Sequence, residues 1–347
     1  MKKIFTGIVI CLLVFGAILY LRGGTSSSKT VRLIAWSGYF SDNILAEFTK
    51  KTGIKVELSY ISSNEELFSK LKAGAGGYDL IMPSDYMVEQ MSKLNMLKPL
   101  NNELLPHRVH LEDYYLHLPY DPGLKYTVPF VRGTTGIAIN TERVKVPEEG
   151  VTWDFLFNSS DPTHTSFLDD MREVFAAALF KAGKSPNSKD ESTLQEARQL
   201  IAQTKTRIAL FSSEPLPLLL RGDITIAHAF STHGIQAGLT NPKIKYFLPK
   251  EGNTVWTDNF AIPVNTAHTQ EAHQFIDYFL DPTNALAVVN DNHLATPNRN
   301  AWMMLPAGVQ KDETLYPNSL SLSKMLFLSG IDEGLAVMNR LWTEIKS

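Results

Sequence analysis

The sequence predicts an α/β fold in two lobes of ordinary size, and three observations carry that expectation. Val31 to Ser84 reads β-α-β-α-β, a second α/β region spans about Trp153 to Ile262, and 347 residues suffice for one or two well-buried cores. Composition agrees, with 44% hydrophobic and 20% charged positions, ordinary values for a globular protein.

The elements follow in order. Val31 to Ala35 is a short apolar run that Trp36-Ser37-Gly38-Tyr39 breaks. Asp42 to Thr52 has helical spacing through Ile44, Leu45 and Phe48, and Gly53 ends that helix. Ile54 to Tyr60 alternates like a strand, Asn64 to Ala73 reads as a helix, and Tyr78 to Met82 is a buried strand ending at Pro83-Ser84. Ligands of open α/β sheets bind beyond the carboxyl ends of strands, which puts Trp36 to Tyr39 and Ser84 to Tyr86 where a ligand is expected. In the second region helices are expected from near Asp170 and over Thr193 to Thr204, and Gly222 to Phe230 alternates apolar positions. Thr269 to Leu280 carries Ala272, Phe275, Ile276 and Phe279 at helical spacing, and Asp281-Pro282 stops it. No repeat or low-complexity tract interrupts this order.

Thirty-three basic and 36 acidic residues give a net charge of −3, which excludes the strong positive field of a nucleic-acid binder. The amino terminus carries more information. Met1-Lys2-Lys3 precedes an uncharged apolar run from Ile4 to Leu21, a pattern that directs export and places everything after Arg22 outside the cell membrane. Residues 1–24 fit a signal peptide or an uncleaved membrane anchor; Gly23 and Gly24 suit cleavage, whereas the run is long and lacks an A-x-A site. Residues 1–29 hold four bases and no acid, so the remainder carries −7. The one cysteine, Cys11, lies inside the apolar run, so the exported part forms no internal disulfide. Ile10 before it is not small, and Cys11 reads as a passive membrane residue rather than a lipidation site.

Several separate blocks resemble the periplasmic spermidine/putrescine-binding proteins of ABC transporters, type II solute-binding proteins. They are Ala35-Trp36-Ser37-Gly38-Tyr39, Lys51 to Val56, Tyr78-Asp79-Leu80 through Pro83-Ser84, Asp170 to Phe175, Pro249 to Gly252, Trp256-Thr257-Asp258 with Ala261 to Pro263, and Thr296-Pro297-Asn298. The resemblance covers nearly all of the exported chain. It implies a Venus-flytrap fold with discontinuous lobes and a ligand cleft between them. The first lobe would combine 31–133 with 260–301, the second 134–259 with 302–347, with crossings near Arg132 to Thr135, Asn259 to Ile262 and Trp302 to Leu305.

A polyamine is an alkyl chain carrying ammonium groups, so its receptor needs apolar surface and concentrated negative charge together. Aromatic faces serve both, at about 0.5–2 kcal/mol per well-placed cation contact, and carboxylates supply the rest. Asp170 and Glu173 lie at i, i+3 on one face of a helix's first turn; that spacing is also close to a capping box, and both roles stay open. The resemblance implies that the pair are ligands. Trp256 and Asp258 point to the same side of an extended segment, and the resemblance makes them a ring-plus-carboxylate contact. It likewise implies binding roles for Trp36, Ser37, Tyr39, Ser84 and Tyr86, and for Phe230, which stands where spermidine-binding members have tryptophan. Three departures bear on ligand choice: Asp85 adds a carboxylate that either faces the ligand or faces solvent, Gly38 lacks the aspartate of putrescine-specific members, and Leu328 falls near an expected glutamine. Spermidine is expected over putrescine.

His107 and His110, or His228 and His233, come with no recognised metal-ligand spacing and read as scattered surface residues; no metal or cofactor is expected. Tyr114-Tyr115 resembles the tyrosine pair of ferric-ion-binding relatives but precedes the first crossing. No P-loop, dinucleotide fingerprint or nucleophile elbow is present, so an enzyme is not expected. The expected function is a monomeric periplasmic receptor that delivers a polyamine to an inner-membrane permease. The alternatives are a membrane-anchored polyamine sensor, a ferric-ion or other cation binder, and an exported hydrolase.

Overall fold

The structure, a computed structural model, describes residues 29–74, 77–317, 324–330 and 332–347. The expected export segment and Cys11 lie outside the described residues. Among those described, no helix is long and apolar enough to cross a membrane.

Strand β1 (Thr30–Trp36) sits between β2 (Lys55–Ile61) and β3 (Leu80–Ile81), all parallel, with helices α1 (Asp42–Thr52) and α2 (Asn64–Lys72) in the connections. Each helix begins at a serine whose hydroxyl accepts a backbone N–H, Ser41 from Ile44 and Ser63 from Glu66, satisfying donors the first turn leaves free. Gly53 ends α1 in the left-handed region at φ 73°. Two expectations shift here. Trp36 does not break β1 but ends it, paired with Ile61. The strand expected over Tyr78 to Met82 shortens to two residues because side chains take the ladder positions around it. The Asp79 carboxylate accepts the Arg32 N–H at 3.0 Å, and the Met82 carbonyl accepts the Trp36 indole N–H at 3.0 Å. Helix α3 (Asp85–Lys93) follows directly.

The two halves of the molecule meet in β4 (Thr127–Asn140) and β9 (Asn253–Ala261). As far as Thr134, β4 pairs antiparallel with β9, which continues to β3 through Ala261; from Thr135 it pairs with β7 (Ile226–Phe230) and from Ile137 also with β8 (Ile244–Phe247). The sheet order is therefore β2-β1-β3-β9-β4-β7-β5-β6, with β5 (Thr165–Phe167) and β6 (Leu210–Phe211) at the far edge. Helices α4 (Met171–Lys181), α5 (Glu191–Lys205), α6 (Pro215–Arg221) and α7 (Ser231–Thr240) belong to this second half. The alternating run from Gly222 becomes a strand only at Ile226, because Gly222 is the left-handed cap of α6 at φ 79°.

The last third of the chain returns to both halves. Helix α8 (Thr269–Leu280) packs Phe275 and Phe279 against Phe40, Phe48 and Phe260 at ring separations of 4.9–6.4 Å, an aromatic core for the first half. Asp281-Pro282 ends α8 and also starts α9 (Pro282–Asn292), since the Asp281 carboxylate accepts the Thr283 and Asn284 N–H groups. Strand β10 (Met325–Leu326) adds in parallel to β9 at Asn253–Thr254, and α10 (Asp332–Lys346) packs on α4 and α5. The histidine reading needs one correction. His228 is fully buried on β7, edge-on to Trp153 and Phe167, because an inward strand position carries it into the second half, and His233, early in α7, is largely covered rather than on the surface.

Candidate functional site

The turn after β1, the start of α3, the middle of β9, the start of α4 and the end of β7 converge on one cavity of about 450 Å³. All eleven residues singled out from the sequence line it: Trp36, Ser37, Tyr39, Ser84, Asp85, Tyr86, Asp170, Glu173, Phe230, Trp256 and Asp258. Leu328 lines it as well.

Asp258 is 4% exposed and is held on both oxygens. Ser84 donates its hydroxyl to Oδ1 at 2.5 Å, and Tyr39 donates its phenol to Oδ2. Ser84 is fixed in turn by Asn64, whose Oδ1 accepts the Ser84 N–H at 2.9 Å and whose Nδ2 donates to the Ser84 hydroxyl at 3.0 Å. Burial nevertheless pushes the Asp258 carboxyl up to about 6, against the opposing pull of those two donors. Strand alternation brings Trp256 to the same wall, where Phe230 meets it edge to face at 5.8 Å and 89°. Gly133 on the neighbouring strand leaves room for that indole, since a Cβ there would lie 2.2 Å from its ring.

Asp170 and Glu173 divide the two roles left open by their spacing. Asp170 caps α4, accepting the Glu173 N–H at 3.0 Å, while the Glu173 side chain turns inward and accepts the Thr254 hydroxyl at 2.7 Å. The box is therefore half closed, and Glu173 faces the cavity. Burial pushes Asp170 up to about 6, with Glu65 adding to the rise; burial and then the Asp170 charge push Glu173 up to about 8. Asp85 is buried, not solvent-facing, yet both its oxygens are engaged by backbone, the Tyr86 N–H at 2.7 Å and the Thr257 N–H at 3.1 Å. Burial pushes it up to about 8. Tyr86 donates its phenol to Glu65 at 3.2 Å, and the Arg172 guanidinium lies 4.9 Å from its ring centroid. One face of that ring is thus already occupied by a cation.

Among the described residues six carboxylates line the cavity, namely Glu66, Asp85, Asp170, Glu173, Glu214 and Asp258, and no lysine or arginine does. Glu66 is neutralised outside it by Lys70 at 2.7 Å, and Glu214 lies 3.5 Å from His233. Among the described residues Asp85, Asp170, Glu173 and Asp258 form no ion pair, which is why burial dominates all four. Chemically the cavity suits a cation with an apolar body: rings and Leu328 for methylenes, carboxylates for ammonium groups.

Asn64, Glu65, Thr254, Glu214 and His233 were not legible as site residues. Asn64 and Glu65 open α2 at the carboxyl end of β2, so the strand-end rule applied to a third loop would have found them. Thr254, Glu214 and His233 carry no such local signal.

Residues 43–317 match the bacterial extracellular solute-binding protein family. The chain is 32% identical to the spermidine/putrescine-binding periplasmic protein 1 of Haemophilus influenzae, over 94% of this chain and 91% of that one. It is also 32% identical to the putrescine-binding periplasmic protein PotF of Escherichia coli, over 96% of each. A solved structure described as a putative spermidine/putrescine ABC transporter from Listeria monocytogenes superposes with a TM-score of 0.87 at 30% identity, covering 92% of this chain and 99% of that one. These relatives are binding proteins of transport systems rather than enzymes, and the fold they share is the two-lobed α/β architecture described above. The chain belongs to the bacterial extracellular solute-binding protein family.

Proposed function

We propose that this chain is the substrate-binding component of a polyamine ABC transporter, taking spermidine in preference to putrescine and delivering it to an inner-membrane permease. The observation that carries the reading is the cavity lining: four carboxylates in no ion pair, Asp85, Glu173 and Asp258 buried and Asp170 half-buried, with aromatic walls and, among the described residues, no lysine or arginine. An ammonium placed there regains the anion pairing that burial demands, and the four carboxylates regain a counter-charge. The relatives at 30–32% identity support the ligand class.

In this reading lobe 1 is 31–133 with 260–301 and lobe 2 is 134–259 with 302–347. The change of β4 partners at Thr134/Thr135 supports the first boundary. Asp258, with Tyr39 and Ser84, takes one amine; Asp170 and Glu173 take another; Trp36, Tyr86, Phe230 and Trp256 wall the methylenes. The chain works as a monomer on the outer face of the inner membrane, held or released by residues 1–24. Isothermal titration with spermidine, putrescine and spermine tests the reading. Saturable binding at micromolar concentration or below, tightest for spermidine, is the expected result, and absence of binding to all three overturns it.

A further inference from the structure

The described segment Phe327–Gly330 runs between the two halves. On the second-half side Asn187 grips it twice, donating from Nδ2 to the Phe327 carbonyl at 2.8 Å and accepting the Ser329 N–H at 2.9 Å. Arg172, 2% exposed, donates to the Ser329 carbonyl at 2.8 Å while its guanidinium covers the Tyr86 ring. On the first-half side the Gly330 N–H donates to the Glu89 carboxylate on α3 at 3.0 Å. Leu328, between these anchors, is carried into the cavity wall. A Cβ on Gly330 would lie 3.0 Å from Glu89 Oε2 and 3.2 Å from its Cδ, so a side chain there crowds the contact. Gly330 is outside the left-handed region, so its backbone accepts other residues.

A second bond of the same kind joins α7 to α9. Gln236 donates from Nε2 to the Asn292 carbonyl at 2.8 Å, and Asn292 donates from Nδ2 to the Tyr39 carbonyl at 3.1 Å. Tyr39 is the residue that holds Asp258.

We propose that Glu89–Gly330 and Gln236–Asn292 are two clasps that hold the lobes closed over the cavity and set affinity without touching the ligand. The proposal rests on the lobe boundaries and function given above. Neither Glu89 nor Gln236 lines the cavity, and each donor or acceptor is attached to a residue that leads directly into it, Leu328 in one case and Tyr39 in the other. Opening the lobes costs both bonds, and closure re-forms them together with the wall. A closed state favoured by two such bonds raises apparent affinity by about ten-fold through the population of the binding-competent form.

The test is an interlobe distance measured by pulsed electron spin resonance on the full chain in detergent, with Cys11→Ser and labels at Lys55→Cys and Lys245→Cys, both exposed. Glu89→Ala with Gln236→Ala, and separately Gly330→Ala, are compared with the parent without polyamine. We expect a longer-distance population to grow in both variants while the melting temperature changes little. Identical distance distributions overturn the clasps, whether or not any polyamine binds. A changed distribution with no polyamine binding by the parent keeps the clasps and overturns the proposed ligand class. Where polyamines bind, the variants weaken spermidine and putrescine by the same factor; a change in their ratio contradicts a role remote from the ligand.

Discussion

Ser84 and Asp258 hold each other twice: their backbones form an antiparallel bridge, and the serine hydroxyl donates to the carboxylate at 2.5 Å. The bridge lies between the residue that caps α3 and the middle of β9, so the loop after β3 and the carboxylate expected to take an ammonium are tied directly to each other. Asp258→Asn keeps the shape and removes the charge. We predict a loss of spermidine affinity of about 100-fold or more, because an ammonium is left without its anion in a buried site. Ser84→Ala removes one donor and should cost about five-fold. Titration calorimetry of both variants checks the order; equal effects would contradict it.

Proton linkage gives the second prediction. The carboxyls of Asp85 and Glu173, at about 8, and of Asp170 and Asp258, at about 6, lie above their ordinary values near 4. A carboxyl raised in the folded state binds its proton more tightly there, so the ligand-free protein loses stability as pH rises from about 4 through 8. A bound ammonium favours the ionised forms and expels those protons. Spermidine affinity should therefore rise between pH 5.5 and 8, with protons released on binding. Titrations in buffers of different ionisation enthalpy count them, and a pH-independent affinity with no release would contradict this electrostatic account.

Gly133→Ala tests the packing behind the site. The added methyl would meet the Trp256 ring at 2.2 Å and the Ser231 hydroxyl at 2.7 Å, so the indole must move. We expect spermidine affinity to fall at least ten-fold, with stability lowered by about 1–3 kcal/mol. Unchanged affinity would show that Trp256 is not a wall of the ligand site.

His228 bears on acid stability rather than binding. It is fully buried, neither ring nitrogen has a hydrogen-bond partner among the described residues, and burial pushes it down to about 3. The unfolded chain protonates this group near 6.5, so its contribution is lost as pH falls from about 6.5 towards 3, opposite in sign to the four carboxylates. Urea unfolding at pH 7 and pH 4.5 should show His228→Phe losing less stability on acidification than the parent. The same loss in both would contradict the assignment.

The helices were the most legible part of the fold. Asp42–Thr52 and Thr269–Leu280 match their expected bounds because helical spacing, the cap glycine Gly53 and the proline Pro282 are local signals. Short strands were less so: β3 is cut by side chains of Asp79 and Trp36 that no periodicity reveals, and β7 starts late because α6 precedes it. In the cavity, residues on strand ends and helix starts were readable, since position alone aims them. Glu214 and His233 reach it through tertiary packing, Thr254 supports Glu173 from behind the lining, and the engagement of Asp85 by the Thr257 amide joins residues 172 positions apart.

The most direct measurement of the central claim is a crystal structure of the chain grown with spermidine. The expected map shows the extended ligand in the cavity between the lobes. One amine lies within hydrogen-bond distance of Asp258, another within reach of Asp170 and Glu173, and the methylenes lie against Trp256. A ligand elsewhere on the surface, or one whose amines meet none of these carboxylates, would contradict it.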